Sequence, residues 1–158
     1  MAKKPTKKQP LSSVCQNKKA GFRYEILEKI ECGMVLLGTE IKSLRDQGAS
    51  LDESYAQIRG DELWLVDCHI PAYKFGHTTN HEPRRRRKLL LHKQQMRKLK
   101  PRVEQRGQTL VPIRIYFNER GIAKITIALA SGKKHADKRQ DARKKQHQRD
   151  MERALRGR

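Results

Sequence analysis

The stretch Glu31–Arg45, ECGMVLLGTEIKSLR, constrains this chain most. Gly33 and Gly38 bracket the apolar run Met34–Leu37, and beyond them the apolar spacing changes from strand-like to helical. Gly33 marks the end of one strand and the start of a second, short one. Thr39 then suits a helix N-cap, where its hydroxyl can accept an orphan backbone N–H. Glu40 puts a negative charge at the positive end of that helix. Ile41 and Leu44 lie three apart and face a core, which leaves Lys42 and Arg45 on the polar side. A strand that feeds a short helix across one end of a small barrel needs a segment of this kind. The remainder of the chain supplies strands to close the barrel and basic segments attached to it.

Residues 1–14 carry no periodic apolar pattern and read as a mobile arm. In the strand that follows Gln16–Gly21, Tyr24, Ile26 and Ile30 share a face, with Leu27 out of step. After the helix, the connection Asp46–Ser54 leads to a hairpin, Tyr55–Arg59 and Leu63–Asp67, turning at Gly60-Asp61. Trp64, the only tryptophan, reads as a packing residue. Pro71 ends the sheet, and Lys74–Pro83 is a polar loop. Arg84–Gly107 reads as one helix with Leu89, Met96, Leu99 and Val103 on a stripe, and with Pro101 kinking it near Arg97–Lys100. Leu110–Phe117 and a return strand through Ile125, Ile127 and Leu129 form a second hairpin around Asn118–Gly121. Pro112 implies an edge or a bulge. Apolar alternation ends at Leu129. The predicted fold is mainly β, a small oligonucleotide-binding-like barrel with a short helix, one longer helix and a basic C-terminal tail. Its parts are a basic arm (1–14), the barrel (15–130) and a tail (131–158).

Charge points to the partner. The 37 Lys+Arg outnumber the 17 Asp+Glu, for a net +20. Residues 1–19 hold six lysines and no acid, residues 84–106 eleven basic residues and one acid, and residues 131–158 eleven basic and four acidic. Residues 20–83, by contrast, hold six basic and eleven acidic residues. Such a patchy excess favours a polyanion, nucleic acid before a membrane surface. No run approaches the ~18 apolar residues of a membrane span, and no apolar segment after the N-terminal lysines suggests a secretory signal. Cys15, Cys32 and Cys68 are odd in number and far apart, with no CxxC, so they read as reduced thiols rather than a zinc site or disulfide framework.

No pattern argues for catalysis: there is no G-x-S-x-G, P-loop or H-E-x-x-H. His77 and His81 are four apart but lie in a loop without further ligands, so no metal or cofactor is expected. Asp61-Glu62 reads as a solvated turn. The run Arg84–Lys88 favours phosphate contact, because phosphate rewards fixed guanidinium forks. With aromatics at 5%, a base-stacking platform is disfavoured against recognition of RNA shape and backbone. Lys124 alternates away from the core residues of its strand, as an exposed lysine or as an RNA contact.

Taken together, ECGMVLLGTEIKSLRDQGASLDESY, HIPAY, HEPRRRRKLLLHK, GQTLVPIRIYF and SGKKHADKR, in this order between Asn17 and Arg139, resemble the SsrA-binding protein family (small protein B). The resemblance implies a non-enzymatic, cytoplasmic RNA-binding adaptor, monomeric when free. It would bind the tRNA-like part of transfer-messenger RNA and enter stalled ribosomes for rescue by trans-translation, with its tail in the decoding centre and the empty mRNA path of the small subunit. Carried over by motif, the implied RNA-binding residues are Glu31, Leu91 and Lys124, helped by Asn17, Lys18 and Lys88. The implied tail motif is Gly132, Lys133, Lys134, Asp137, Lys138 and Arg139. Family members often carry His or Tyr directly before DKR. Here that residue is Ala136, so a ring there must come from His135 or be absent. The tail is expected to be disordered when free and helical on the ribosome. Two alternatives remain: a structural ribosomal protein, which shares the basic tails and small barrel and which high-salt washing would leave on the subunit, and an RNA-modifying or RNA-cleaving enzyme, against which the lack of a His/carboxylate constellation counts and which incubation with folded RNA would reveal.

Overall fold

A computed structural model describes residues 13–105, 107–133 and 135–156; the expected arm up to residue 12 lies outside them, and its last two residues, Ser13 and Val14, are instead part of the first strand. Seven strands and four helices follow the order β1 (Ser13–Gln16), α1 (Ala20–Arg23), β2 (Tyr24–Met34), α2 (Gly38–Asp46), β3 (Tyr55–Arg59), β4 (Glu62–Val66), β5 (Arg87–Leu90), α3 (Lys93–Glu104), β6 (Gln108–Phe117), β7 (Ala123–Gly132) and α4 (His135–Arg156). All strand pairs are antiparallel. The sheet order is β1-β6-β3-β4-β5-β2-β7, and pairing of β6 with β7 closes it into a barrel. The outer edge of β6 is divided: Leu110 pairs with Ala56 of β3, whereas Arg114, Ile115 and Tyr116 pair with β1.

Period-2 patterning builds the core. Leu63, Leu65, Leu110, Ile115, Ile125 and Leu129 are fully buried, with Ile30, Cys32, Met34 and Leu89 beside them. Each such aliphatic contributes about 1.5–3 kcal/mol relative to an exposed one. The irregularities expected at Leu27 and Pro112 are register shifts, between Ile26 and Glu28 and between Pro112 and Arg114. The Gly60-Asp61 and Asn118–Gly121 turns join the two hairpins as read, with Gly60 and Gly121 at positive φ, where glycine carries no Cβ penalty.

Four expectations are corrected. First, β2 does not break at Gly33. It runs through to Met34, and Gly33 pairs with Leu90 on one side and Lys124 on the other. A Cβ at Gly33 would sit 3.3 Å from Leu90 Cβ, so glycine serves close strand approach rather than a turn. Second, α2 begins at Gly38 with Leu37 as its cap. Its buried face is Glu40, Ser43 and Leu44 rather than Ile41 and Leu44. Third, Arg84–Gly107 is not one helix. Arg87–Leu90 forms β5, filling the slot between β4 and β2, and α3 starts only at Lys93, with Pro101 inside it. Leu89 therefore belongs to a strand, while Met96, Leu99 and Val103 keep the helical stripe against the core. Fourth, β7 extends past Ala130 to Gly132, and the Lys133 N–H continues onto the Arg23 carbonyl at 3.2 Å.

Candidate nucleic-acid interface

The outward positions of β2, β7 and β6 meet on one patch. Register sets Glu31 opposite Thr126 and Thr126 opposite Arg114; one step along, it sets Gly33 opposite Lys124 and Lys124 opposite Tyr116. Residues far apart in sequence thereby become neighbours. Lys124 Nζ lies 3.7 Å from Glu31 Oε1, and the Tyr116 hydroxyl donates to Glu31 Oε2. Arg114 Nε donates to Thr126 Oγ1 at 3.3 Å, and its guanidinium lies 4.9 Å from the Tyr116 ring centroid. Burial, then the hydrogen bond to Glu31 and its charge, push the Tyr116 phenol up to about 12, so it remains a neutral donor at physiological pH. The half-exposed carboxylate is held by a lysine and a phenol beside an arginine. Such a patch can meet a phosphate with its cations and accept from a base or ribose with Glu31.

The leucine beside this patch is Leu90, which is exposed and pairs with Gly33 opposite the Lys124 side; Leu91 follows it and packs against the core. Leu91 is half-buried and lines a recess with Lys93, Met96, Arg97 and Lys100 of α3 and with Asp61, which pairs with Lys100 at 3.4 Å. An apolar contact beside Lys93 and Arg97 is thus available. Lys88 points outward from β5, opposite Trp64, and pairs with Glu62. Trp64 itself is half-buried on the outer face rather than in the core. Tyr116 and Arg114 were missed in the sequence. Their signal was the alternation of β6 past its bulge, which leaves Arg114 and Tyr116 off the core face that Ile115 and Phe117 share, Arg114 half-buried and Tyr116 covered at 2% exposure.

The remaining expected contacts lie elsewhere. Asn17 is buried and fully engaged: its amide donates to the Leu51 and Pro112 carbonyls at 3.2 and 3.3 Å, and its Oδ1 accepts the Lys19 and Ala20 N–H groups, both at 3.1 Å. It shapes the turn into α1. Lys18 is exposed beside α4, near Lys145 and Arg149. Of the tail motif, Gly132 ends β7, Lys133 Nζ donates to the Gly21 carbonyl at 3.0 Å, and Asp137, Lys138 and Arg139 lie in the first turns of α4. Lys134 lies outside the described residues.

The arginine run corrects an expectation most sharply. Arg84 and Arg86 are exposed, but Arg85 and Arg87 turn inward onto Glu40. Arg85 grips Glu40 with two bonds of 2.9 and 2.7 Å, Arg87 Nε adds one of 2.8 Å, and the Leu37 N–H donates a fourth at 2.8 Å. Arg87 spends its other donors on the Cys68, Arg85 and Pro83 carbonyls. Burial alone would raise the Glu40 carboxyl, but the Arg85 hydrogen bonds, the Leu37 N–H and the Arg87 charge outweigh it and hold it below the usual carboxylate value. Alongside, His81 is buried with Nε2 3.2 Å from the Ile70 carbonyl and Nδ1 3.0 Å from Thr39 Oγ1. The carbonyl can only accept, so Nε2 carries a proton toward it. Thr39 does not cap α2 because the helix starts one residue earlier, at Gly38, with Leu37 in the cap position. Among the described residues no cluster of His, Cys, Asp and Glu could hold a metal ion. Burial pushes the Cys32 and Cys68 thiols up to about 12, which makes them unreactive at neutral pH.

A closed antiparallel barrel with an outward Glu–Lys–Tyr–Arg patch and basic appendages defines a small basic β-barrel protein of the nucleic-acid-binding kind. The family model described as SmpB protein matches residues 14–157. The chain belongs to that family. An SsrA-binding protein of Chelativorans sp. (strain BNC1) is 50% identical over 148 residues, which cover 94% of this chain and 96% of the relative. That of Agrobacterium fabrum is 47% identical over 157 residues (99% and 98%), and that of Rhodopirellula baltica 47% over 151 (95% and 86%). A solved chain described as "tmRNA-SmpB: a journey to the center of the bacterial ribosome" is similar with a TM-score of 0.65 and 50% identity, covering 77% of this chain and 85% of that one.

Proposed function

We propose that this chain is a non-enzymatic RNA-binding adaptor, which binds the tRNA-like part of transfer-messenger RNA and delivers it to stalled ribosomes for trans-translation. The observation that carries the reading is the meeting of Glu31 and Lys124 at 3.7 Å on the barrel's outer face, in a chain whose relatives are SsrA-binding proteins. Fixed cations beside an oriented carboxylate and a phenol suit the backbone and sugar edges of a folded RNA. Leu91 adds an apolar contact beside Lys93 and Arg97, with Lys88 and Lys18 as outlying cations and Asn17 acting through the turn it holds. The role needs placement and charge, not bond chemistry.

The segment after Lys133 has a separate task. It is basic, carries exposed Met151 and Leu155, and projects from α1 rather than from the Glu31 patch. It enters the decoding centre and the empty mRNA path, where ribosomal phosphates fix as a helix what is only marginally ordered on the free protein. The protein works in the cytoplasm, as a monomer before it meets RNA. Among the described residues no helix is long and apolar enough to cross a membrane.

The test is to purify the full chain from cells and sequence the RNA it carries, beside Lys124→Ala. Strong enrichment of transfer-messenger RNA with the wild type, lost in the variant, is expected. Ribosomal RNA alone, equal for both proteins, would overturn the reading.

A further inference from the structure

The chain has three phenylalanines, four tyrosines and one tryptophan, and three of these rings fall on one strip of cations outside the Glu31 patch. Phe75 is 72% exposed, a large ring facing solvent. Its centroid is 5.6 Å from that of Tyr73, edge to face. Lys42 Nζ stands 5.6 Å from the Tyr73 ring, and Arg45, one turn further along α2, stands 5.0 Å from the Phe117 ring. Lys74 lies beside them, 3.8 Å from the strip's carboxylate, Asp46. Two rings, two cations and a third ring thus run from Phe75 to Phe117.

The loop that displays Phe75 is built, not loose. The Asn80 amide accepts the Tyr73 N–H at 3.1 Å and donates to the Tyr73 carbonyl at 2.8 Å, and the Gly76 N–H bonds that same carbonyl at 2.9 Å. A Cβ on Gly76 would lie 2.6 Å from the Asn80 amide nitrogen, so the clamp requires glycine there. His77 is held at positive φ, a conformation a surrounding hydrogen-bond network must impose. The next anchor is His81, buried against Thr39 and Ile70. A loop ordered to this degree around an exposed aromatic presents that ring to something.

We infer that the strip Phe75–Tyr73–Lys42–Arg45–Phe117 is a second RNA-binding surface, on which an unstacked base of transfer-messenger RNA lies against Phe75 while Lys42, Lys74 and Arg45 meet the flanking phosphates. The chemistry selects the occupant: an exposed ring backed by half-buried rings and flanked by cations suits a base and its phosphates together. Continuity selects the RNA. Arg45 Nη2 donates to the Gly121 carbonyl at 3.3 Å, in the turn that leads into β7 and Lys124. One RNA can therefore run from the Glu31–Lys124 patch over this turn to the strip. The inference rests on the reading of the protein as a transfer-messenger RNA adaptor.

The experiment measures binding of the full-length protein to a transcript of the tRNA-like part of transfer-messenger RNA. Phe75→Ala and Phe75→Leu should each weaken binding about ten-fold, as loss of one base stack does, with the salt dependence unchanged because no charge is removed. Phe75→Trp should restore affinity, and the indole emission it adds over wild type should be quenched by the transcript. Wild-type affinity in Phe75→Leu would mean that an apolar side chain suffices, and would overturn the stack. Unquenched emission from Phe75→Trp would overturn it independently of how the smaller variants fold. If Phe75→Ala weakens association with ribosomes while the transcript binds normally, the assigned occupant is wrong. Lys124→Ala separates the two readings: a loss there without one at Phe75 sinks the strip alone, and a wild-type protein that ignores the transcript sinks the adaptor function.

Discussion

At the scale of single residues, the chain keeps two acidic groups for opposite purposes. Glu40 is entirely buried and spends its oxygens on Arg85, Arg87 and Leu37. Because its folded-state carboxyl lies below the ordinary value of 4.5, its stabilisation is complete above that pH and is lost as pH falls through the lower folded value. Glu40→Gln leaves two inward arginines without their counter-charge and should cost about 3–5 kcal/mol in urea unfolding at pH 7. The variant should also lack that part of the acid-induced loss; parallel acid profiles for the two proteins would contradict the assignment. Glu31, by contrast, is more than half exposed, and its partners are the candidate RNA contacts. Lys124→Ala should weaken binding to the tRNA-like RNA and flatten the log–log salt slope by about one. Tyr116→Phe should weaken it by a few-fold, equivalent to about 1 kcal/mol for a partly solvated hydrogen bond, with the slope intact. A reduced slope in Tyr116→Phe would show that the phenol only holds the cations in place.

Elements differ in how legibly the sequence announces them. Both hairpins, the Leu27 and Pro112 irregularities and the Met96–Leu99–Val103 stripe follow from period and turn chemistry, which are local. So does the outward phase of Glu31 and Lys124. What escaped depends on partners distant in sequence. Arg87 reads as a solvated cation until Glu40 is brought beneath it, and Asn17 reads as exposed until Leu51 and Pro112 supply their carbonyls. β5 is four residues long, and its apolar LL continues into a helical pattern, so nothing local distinguishes it from the first turn of α3. The aromatic strip was hidden in the same way: 5% of the chain is too little for a platform, unless folding gathers the rings. α4 poses the reverse problem, for its sequence permits a helix but gives it little to bury. Met151 is 56% and Leu155 78% exposed, whereas ordering each residue costs about 1–2 kcal/mol. On the free protein, amides 137–155 should therefore exchange within about ten-fold of unprotected rates while β7 is strongly protected. Protection of α4 equal to that of β7 would mean that the helix is fixed before the ribosome is met.

For the whole molecule, the charge runs prove to be partly structural. The acidic residues 20–83 and the basic residues 84–106 pair with each other across the barrel: Glu53 with Arg84, Glu40 with Arg85 and Arg87, Glu62 with Lys88, Asp61 with Lys100 and Glu28 with Arg102. Each exposed pair adds at most about 1 kcal/mol, but together they favour the register that lays β5 and α3 on the first half of the chain. The net +20 thus overstates what the barrel can offer a phosphate backbone. Among the described residues, barrel cations outside these ion pairs include Lys93 and Arg97 of α3, Arg114 beside the Glu31 patch, and Lys42 and Arg45 of α2, and much of the remaining charge belongs to α4, which meets the barrel at α1. RNA binding and tail function should then separate cleanly. The cut must fall after Lys133 rather than at Ala130, because β7 runs to Gly132 and Lys133 still bonds the Arg23 carbonyl. A chain ending at Lys133 should bind the tRNA-like RNA within about 2 kcal/mol of full length, beyond which more than one charge-assisted contact would have been lost. Its log–log salt slope should be roughly −2 to −5, the value for a few phosphate contacts rather than for twenty charges. The full-length protein with Asp137, Lys138 and Arg139 all changed to alanine should match that affinity yet fail to support tagging of stalled peptides in a reconstituted translation reaction. Normal tagging by the triple variant would remove the tail from the mechanism. A steep slope that survives the cut would return the RNA contacts to the bulk charge of the barrel.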